Sequence, residues 1–278
     1  MSSLPCVRAL MLSCGLPRLE ARMLLQHLLQ RPTAWLLAHD TDPIDAKVAA
    51  DFDQLAQRRL AGEPMAYLVG HREFMGHRFG VRPGVLIPRP DTELLVETAA
   101  AFVQSHVVCG HECRVLDMGC GSGAIAISLA LVEGIRAQIT ALDISEAALA
   151  VARENAAALG AQVRFVHSDW FAALAPGEAF DLIVSNPPYI AADDPHLTQG
   201  DLRYEPSGAL TDGADGLTDI RLLVGAARKR LNPGGAIWLE HGWTQAAAVR
   251  ELLQEAGFNR VSSLNDLAGI ERISGGYL

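Results

Sequence analysis

From Asp91 onward the chain alternates short apolar runs with amphipathic helical stretches, and that alternation leaves very few folds open. A helix from Thr92 to about His106 leads into the run "RVLDM", a glycine loop and the helix "AIAISLALVEG". The run "QITALD" and the helix "SEAALAVARENAAALG" repeat the pattern. Strands separated by helices cannot pair as hairpins, so they require a parallel sheet with helices on both faces. "VRFVH" and "FDLIVS" supply two more strands. "AIWLE" supplies a fifth, after the helix "TDIRLLVGAARKRL" and the turn "NPGG", and "FNRVSSL" with "RISGGYL" a closing pair.

Residues 1–70 read differently. "LEARMLLQHLLQ" places Ala21, Leu24, Leu25 and Leu28 on one helical face, and Val48, Phe52 and Leu55 repeat that spacing. Asp42 followed by Pro43 has the chemistry of a helix start, and Gly62 that of a helix end. "EFMGHRFGVRPGVLIPRP" mixes aromatic, β-branched, glycine and proline residues, which predicts a hairpin linker over 71–90. The expected organisation is therefore a small helical domain (1–70), this linker, and an α/β domain (91–278). With 278 residues, half of them hydrophobic, the chain has enough apolar material for two cores.

A formal net charge of −9 weighs against duplex nucleic acid, whose binding depends on neutralising phosphates, and favours protein or small-molecule partners. The N-terminus lacks the pattern of a secretory signal and no apolar stretch reaches the length of a membrane span, so a cytoplasmic protein without membrane attachment is expected. Five cysteines, an odd number, suit reducing surroundings. "CGHEC" (Cys109, His111, Cys113) does not have the spacing of a zinc knuckle, so a surface loop and no metal are expected there.

Ligands of doubly wound sheets bind at the carboxyl ends of the strands. After the first strand comes "DMGCGSG", where Gly119, Gly121 and Gly123 permit a tight turn, close backbone approach and entry into a helix. The spacing is neither that of the dinucleotide fingerprint nor that of a P-loop. Asp143 ends the second strand, where a carboxylate can accept the hydroxyls of a ribose or cap the next helix, a role Ser145 can also fill. Asp169 and Trp170 end the third, with an acceptor and a flat face for a purine, or a ring for packing. The fourth ends on Asn186-Pro187-Pro188-Tyr189, where two prolines must stop any ladder.

Together "LDMGCGSG", Asp143 and "NPPY" resemble the class I S-adenosylmethionine-dependent methyltransferases that act on planar nitrogens. "LIPRPDTELLVE", "SDWF", "VSNPPYI", "RYEP" and "LEHGW" bring the resemblance closer to the glutamine-N5 methyltransferases of peptide chain release factors, and the likeness extends to "EARMLLQHLL" and "GHREFMG". The resemblance implies a Rossmann-like seven-stranded domain, S-adenosylmethionine as cofactor, and the glutamine of the GGQ loop of release factors as substrate. It implies cofactor binding by Gly119, Cys120, Gly121, Ser122, Gly123, Asp143, Trp170 and Asn186, and catalysis by Asn186, Pro187, Pro188 and Tyr189. Cys120 stands where family members often carry threonine; a loop working through backbone amides should tolerate it. A monomer without stable nucleic-acid binding is expected.

An amide nitrogen is a poor nucleophile because its lone pair is delocalised. Holding its two N–H groups on two fixed acceptors, the Asn186 side-chain oxygen and the Pro187 carbonyl, would aim the lone pair at a methyl group. Tyr189 can stack on the amide plane. The same clamp serves adenine-N6 methylation of DNA, which would call for a basic face, and glutamine methylation of a ribosomal protein. His167 and His241 read as packing or hydrogen-bonding residues. Glu205 can order the loop over the substrate, or form a surface ion pair with Arg203 or Arg221.

Overall fold

The computed structural model describes residues 5–107 and 112–278, and the chain divides into two compact units, 1–71 and 72–278. Cys109 and His111 lie outside the described residues. No described helix is long and apolar enough to cross a membrane.

Among the described residues the first unit holds five helices: α1 (Val7–Ser13), α2 (Arg18–Leu29), α3 (Thr33–Ala38), α4 (Ala46–Leu60) and α5 (Met65–Val69). Ala21, Leu24 and Leu25 of α2 pack with Phe52 of α4, all fully buried, while Leu28 is partly buried at the margin. A bidentate pair from Arg59 to Glu20, at 2.9 and 2.8 Å, ties α4 to α2 beside that core. The start of α4 corrects the expectation from Asp42: the cap is Asp45, whose carboxylate accepts the Lys47 amide at 2.8 Å. Three residues lie between Asp42 and the first turn, out of reach of its orphan amides.

A hairpin, β1 (His71–Phe74) and β2 (His77–Gly80), begins at the boundary residue His71. It is no free linker: Phe74 and Phe79 are buried in the main core, edge to face with centroids 6.0 Å apart. A short 3₁₀ turn at Pro90–Thr92 then leads into α6 (Glu93–Val107). Six further elements follow, β3 (Cys113–Met118), α7 (Ala124–Leu131), β4 (Ala137–Asp143), α8 (Glu146–Leu159), β5 (Arg164–His167) and β6 (Phe180–Ser185). The chain closes with α9 (Thr218–Ala227), β7 (Leu231–Glu240), α10 (Ala246–Glu255), β8 (Asn259–Asn265) and β9 (Glu271–Tyr277).

Seven of these strands form one sheet in the order β5-β4-β3-β6-β7-β9-β8, parallel except where β9 runs antiparallel to β7 and β8. Alternate residues of β3 and β6 enter separate cores on the two faces: Val115, Leu182 and Val184 on one, Leu116, Met118 and Ile183 on the other. Burial of both faces explains why these strands read as continuous apolar runs. "NPGG" lies inside β7. Phe180 pairs with Leu231 and Leu182 with Ala236, so β7 advances five residues while β6 advances two, and the surplus bulges out.

Strand order reverses between β3 and β6. Met118 pairs with Ser185 across this point, and Ser185 Oγ donates to the Met118 carbonyl at 2.6 Å. Gly119 and Asn186 therefore leave neighbouring strand ends together, at the crevice where such sheets bind ligands.

Candidate active site

A cavity of about 450 Å³ opens at that crevice. Gly119, Cys120, Gly121, Ser122, Asp143, Trp170, Asn186 and Pro188 line it, whereas Gly123, Pro187 and Tyr189 do not. The segment expected to be a linker supplies a wall through Phe74, Val85, Leu86 and Arg89.

The glycine loop is shaped by its own hydrogen bonds. The amides of Gly119 and Cys120 both donate to the Leu142 carbonyl at 2.9 Å, and Gly123 donates to Cys120 at 2.8 Å. Gly121 donates to Asp143 Oδ2, also at 2.8 Å. These four amides are spent within the fold, so the loop offers a ligand close approach rather than a row of free donors, contrary to the expectation of a loop working through its amides. Gly119 and Gly123 sit at left-handed φ of 71° and 81°, which disfavours any side chain there; at Gly123 a Cβ would also lie 2.7 Å from Ile127 Cδ1, whereas at Gly119 it would be in ordinary contact, 3.7 Å, with the Trp170 ring.

Asp143 Oδ1 accepts the Ser145 amide at 2.8 Å, while Ser145 Oγ caps α8 by accepting the Ala148 amide at 3.2 Å. The capping role thus falls to Ser145. Each Asp143 oxygen keeps a lone pair for a ligand hydroxyl. Burial pushes its carboxyl up, partly offset by the Ser145 and Gly121 amides. Trp170 has φ 43°, in a region a bulky residue rarely adopts; Asp219, a cavity residue that sequence reasoning missed, has its carboxyl pushed up by burial and by Asp212, against the lowering effect of Trp170. Asn155 of α8 was missed as well. Its side chain accepts the Gly80 amide at 2.7 Å and donates to the Gly80 and Ser122 carbonyls at 3.1 and 2.9 Å, joining hairpin to glycine loop.

On the other side, Asn186 Nδ2 donates to Thr92 Oγ1 at 3.1 Å. Tyr189 packs against the core on the α9 face, and its hydroxyl donates to Glu240 Oε1 at 3.1 Å. Glu240 ends β7 fully buried, and burial pushes its carboxyl up to about 7 against the lowering effect of Thr92 and Tyr189. Gln245 donates to the Tyr189 carbonyl at 3.0 Å, fixing the far end of the turn. No described amide donates to the Pro187 carbonyl.

Glu205 is buried, accepting the Ile87 amide at 2.9 Å and pairing with Arg89. Arg221 pairs with Asp215 instead, and Arg203 lies over the Tyr204 ring. The loop following the clamp is thereby pinned to the cavity wall at 85–89. His241 is buried, bonded to Ser274 Oγ at 2.7 Å, and His167 bonds the Ile144 carbonyl at 2.8 Å on the surface; neither lines the cavity.

The cavity suits a nucleoside bearing a charged tail. Its size falls within the range of small-molecule pockets, the Asp143 carboxylate has lone pairs to spare, and the Trp170 indole and the glycine loop both line it. This fold and this cavity define an S-adenosylmethionine-dependent methyltransferase. The Methyltransferase small domain family matches residues 91–200, and the PrmC N-terminal domain family matches residues 7–70. A methyltransferase of Pyrococcus furiosus has the same fold, with a TM-score of 0.54 at 20% identity, covering 80% of this chain and 95% of that one. The release factor glutamine methyltransferase of Bordetella pertussis is 62% identical over 265 residues, covering 95% of this chain and 96% of that protein. That of Burkholderia pseudomallei is 54% identical, covering 95% and 93%. The chain belongs to the release factor glutamine methyltransferase family.

Proposed function

We propose that the protein transfers a methyl group from S-adenosylmethionine to the side-chain amide nitrogen of a glutamine in a peptide chain release factor. The observation that carries this reading is the tethered Asn186 amide: with its nitrogen end held by Thr92, its oxygen is left as an acceptor at the cavity edge. Its relatives' shared name supports the choice of substrate.

Gly119, Cys120, Gly121, Ser122, Asp143, Trp170 and Asn186, which line the cavity, would hold the cofactor, with Gly123 shaping the loop behind them; when bound it would supply an electrophilic sulfonium methyl. Asn186 Oδ1 and the Pro187 carbonyl each accept one N–H of the substrate amide. This fixes the amide plane and turns the nitrogen lone pair toward the methyl carbon. As the N–C bond forms the methyl–sulfur bond would break, its electron pair leaving on sulfur to give a neutral thioether; positive charge grows on nitrogen and both acceptor bonds strengthen, so the clamp favours the transition state over the ground state. The N-methylated nitrogen then loses its surplus proton to solvent water, since neither amide oxygen of the clamp is basic enough to keep it. Pro187 and Pro188 keep the turn stiff, and Tyr189, anchored on Glu240, sets its far side.

Residues 1–70 serve as the recognition domain. One glutamine offers too little surface for selectivity, so contacts remote from the methyl must supply it. The protein acts in the cytoplasm as a monomer, on protein rather than nucleic acid, in keeping with a net charge of −9. Transfer of labelled methyl to release factors, ribosomal proteins and DNA in parallel tests the reading. Label on the release factor alone is expected; label on DNA or a ribosomal protein instead would overturn it.

A further inference from the structure

S-adenosylmethionine carries a sulfonium, an ammonium and a carboxylate, and the charged lining of the cavity is just as uneven. Among the described residues that line it, Asp143, Asp169 and Asp219 are acidic, and Arg89 is the one cation. The acids suit ribose hydroxyls, an exocyclic amine and the cationic groups of the cofactor, but they repel its carboxylate. The glycine loop does not make up the deficit, because the amides of Gly119, Cys120, Gly121 and Gly123 are spent on Leu142, Asp143 and Cys120.

We propose that Arg89 receives the α-carboxylate of the cofactor's amino-acid tail, so that the site selects a nucleoside with a complete tail. The inference rests on the cofactor site assigned above. Along the strand ends the cavity runs from Trp170 after β5, past Asp143 after β4 and the glycine loop after β3, to Asn186 after β6. A ribose on Asp143 and a methyl beside Asn186 leave the tail to the clamp end. Arg89 belongs to that end: its carbonyl accepts the Thr92 amide at 3.1 Å, and the Thr92 hydroxyl accepts Asn186 Nδ2–H, also at 3.1 Å. The guanidinium is set in advance by Glu205, whose side chain is wholly buried. Glu205 Oε2 accepts the Ile87 amide at 2.9 Å, and Oε1 accepts a single Arg89 nitrogen, Nη2. The Arg89 side chain is 31% exposed and makes no other hydrogen bond among the described residues. A guanidinium carries five N–H donors in a planar fork, so those on Nε and Nη1 stay available for a second carboxylate. Holding the group beforehand lowers the entropy that a long side chain loses on binding.

The test compares two ligands that differ only in the carboxylate, S-adenosylmethionine and its decarboxylated form, by calorimetry without release factor, so that no turnover intervenes. Wild type should prefer the intact cofactor by about 10–10²-fold, the scale of a hydrogen bond to a charged group. Arg89→Met alone would leave Glu205 buried with an unpaired charge, so it is combined with Glu205→Gln, which keeps an acceptor for the Ile87 amide. This double variant should bind S-adenosylmethionine about 10–10²-fold more weakly and the decarboxylated form within about twofold of wild type, erasing the preference. Arg89→Lys, which keeps the charge without the fork, should show an intermediate preference. A wild type that binds both ligands alike would overturn the proposal. So would a double variant that weakens both equally, the pattern of a damaged wall, or an Arg89→Lys variant with the full wild-type preference. If the double variant does not fold, Arg89→Lys decides. Binding of neither ligand by the folded wild-type enzyme would instead sink the cofactor site itself.

Discussion

The two sides of the cavity are built by opposite means. On the cofactor side, the glycine loop is tied to the end of the next strand by backbone amides of Gly119, Cys120 and Gly121 reaching Leu142 and Asp143, and Asp143 is held further by the Ser145 amide. On the clamp side, Asn186 and Tyr189 are held by side chains 94 and 51 residues away, Thr92 and Glu240, one of them a fully buried carboxylate. The first arrangement makes a shape that receives a ligand. The second makes a direction, aiming individual acceptors at a reacting nitrogen, and it depends on partners brought together by the sheet. A defect on the cofactor side should therefore appear as lost affinity, and one on the clamp side as lost turnover.

The largest expected effect lies on the clamp side. Asn186→Ala should lower kcat by roughly 10²–10³-fold, the scale for one preorganised polar group, with a much smaller change in cofactor affinity. Steady-state kinetics alongside calorimetry checks this, and a loss confined to affinity would erase the distinction between the two sides. Asp143→Ala should do the converse, weakening cofactor binding by about 1.5–3 kcal/mol, roughly 10–10²-fold, since it removes a hydrogen bond to a charged group. Unchanged affinity by calorimetry would remove Asp143 from the cofactor site.

Removing residues 1–70 should spare both sides. Cofactor binding should stay within about twofold, while methylation of an intact release factor falls by about tenfold or more, the scale of remote binding contacts. A short glutamine peptide should be modified equally poorly by both forms. Full activity of a folded truncated enzyme on the intact factor would move recognition into residues 71–278.

The smallest effect concerns stability. Asp117 is fully buried at the end of β3, with Oδ2 accepting the Ala126 amide at 3.1 Å and Oδ1 unpartnered, and burial pushes its carboxyl up from 3.8 to about 7. A carboxyl whose pKa is higher folded than unfolded binds its proton more tightly in the native state. Its contribution to stability is thus whole below about pH 4 and is lost as pH rises through about 7. Asp117→Asn should gain on wild type in denaturant midpoint between pH 4 and 7 and hold that gain above; a constant difference across the range would contradict it.

Legibility follows the same division. The alternation after Asp91, the glycine loop and Asp143 were readable because each is marked by a pattern contained in a short stretch of sequence. Asn186, Pro187, Pro188 and Tyr189 were readable as an unusual strand end. What fixes them was not, because Thr92 read only as a helix start and Glu240 only as the last residue of an apolar run. The hairpin read as a linker because nothing local shows that Phe74 and Phe79 enter the main core or that Asn155 stitches Gly80 to the glycine loop. Asp45 was passed over for Asp42 because the proline after Asp42 imitates a first helical turn.

The central claim is that Asn186 aims a glutamine amide at the methyl group. Tandem mass spectrometry of a release factor, incubated with isotope-labelled S-adenosylmethionine and either wild-type enzyme or Asn186→Ala, tests it most directly. The account predicts a single labelled methyl on a glutamine side-chain nitrogen with the wild type, and roughly 10²–10³-fold slower appearance of the same product with the variant. Label on any other atom, or equal rates from the two enzymes, would contradict it.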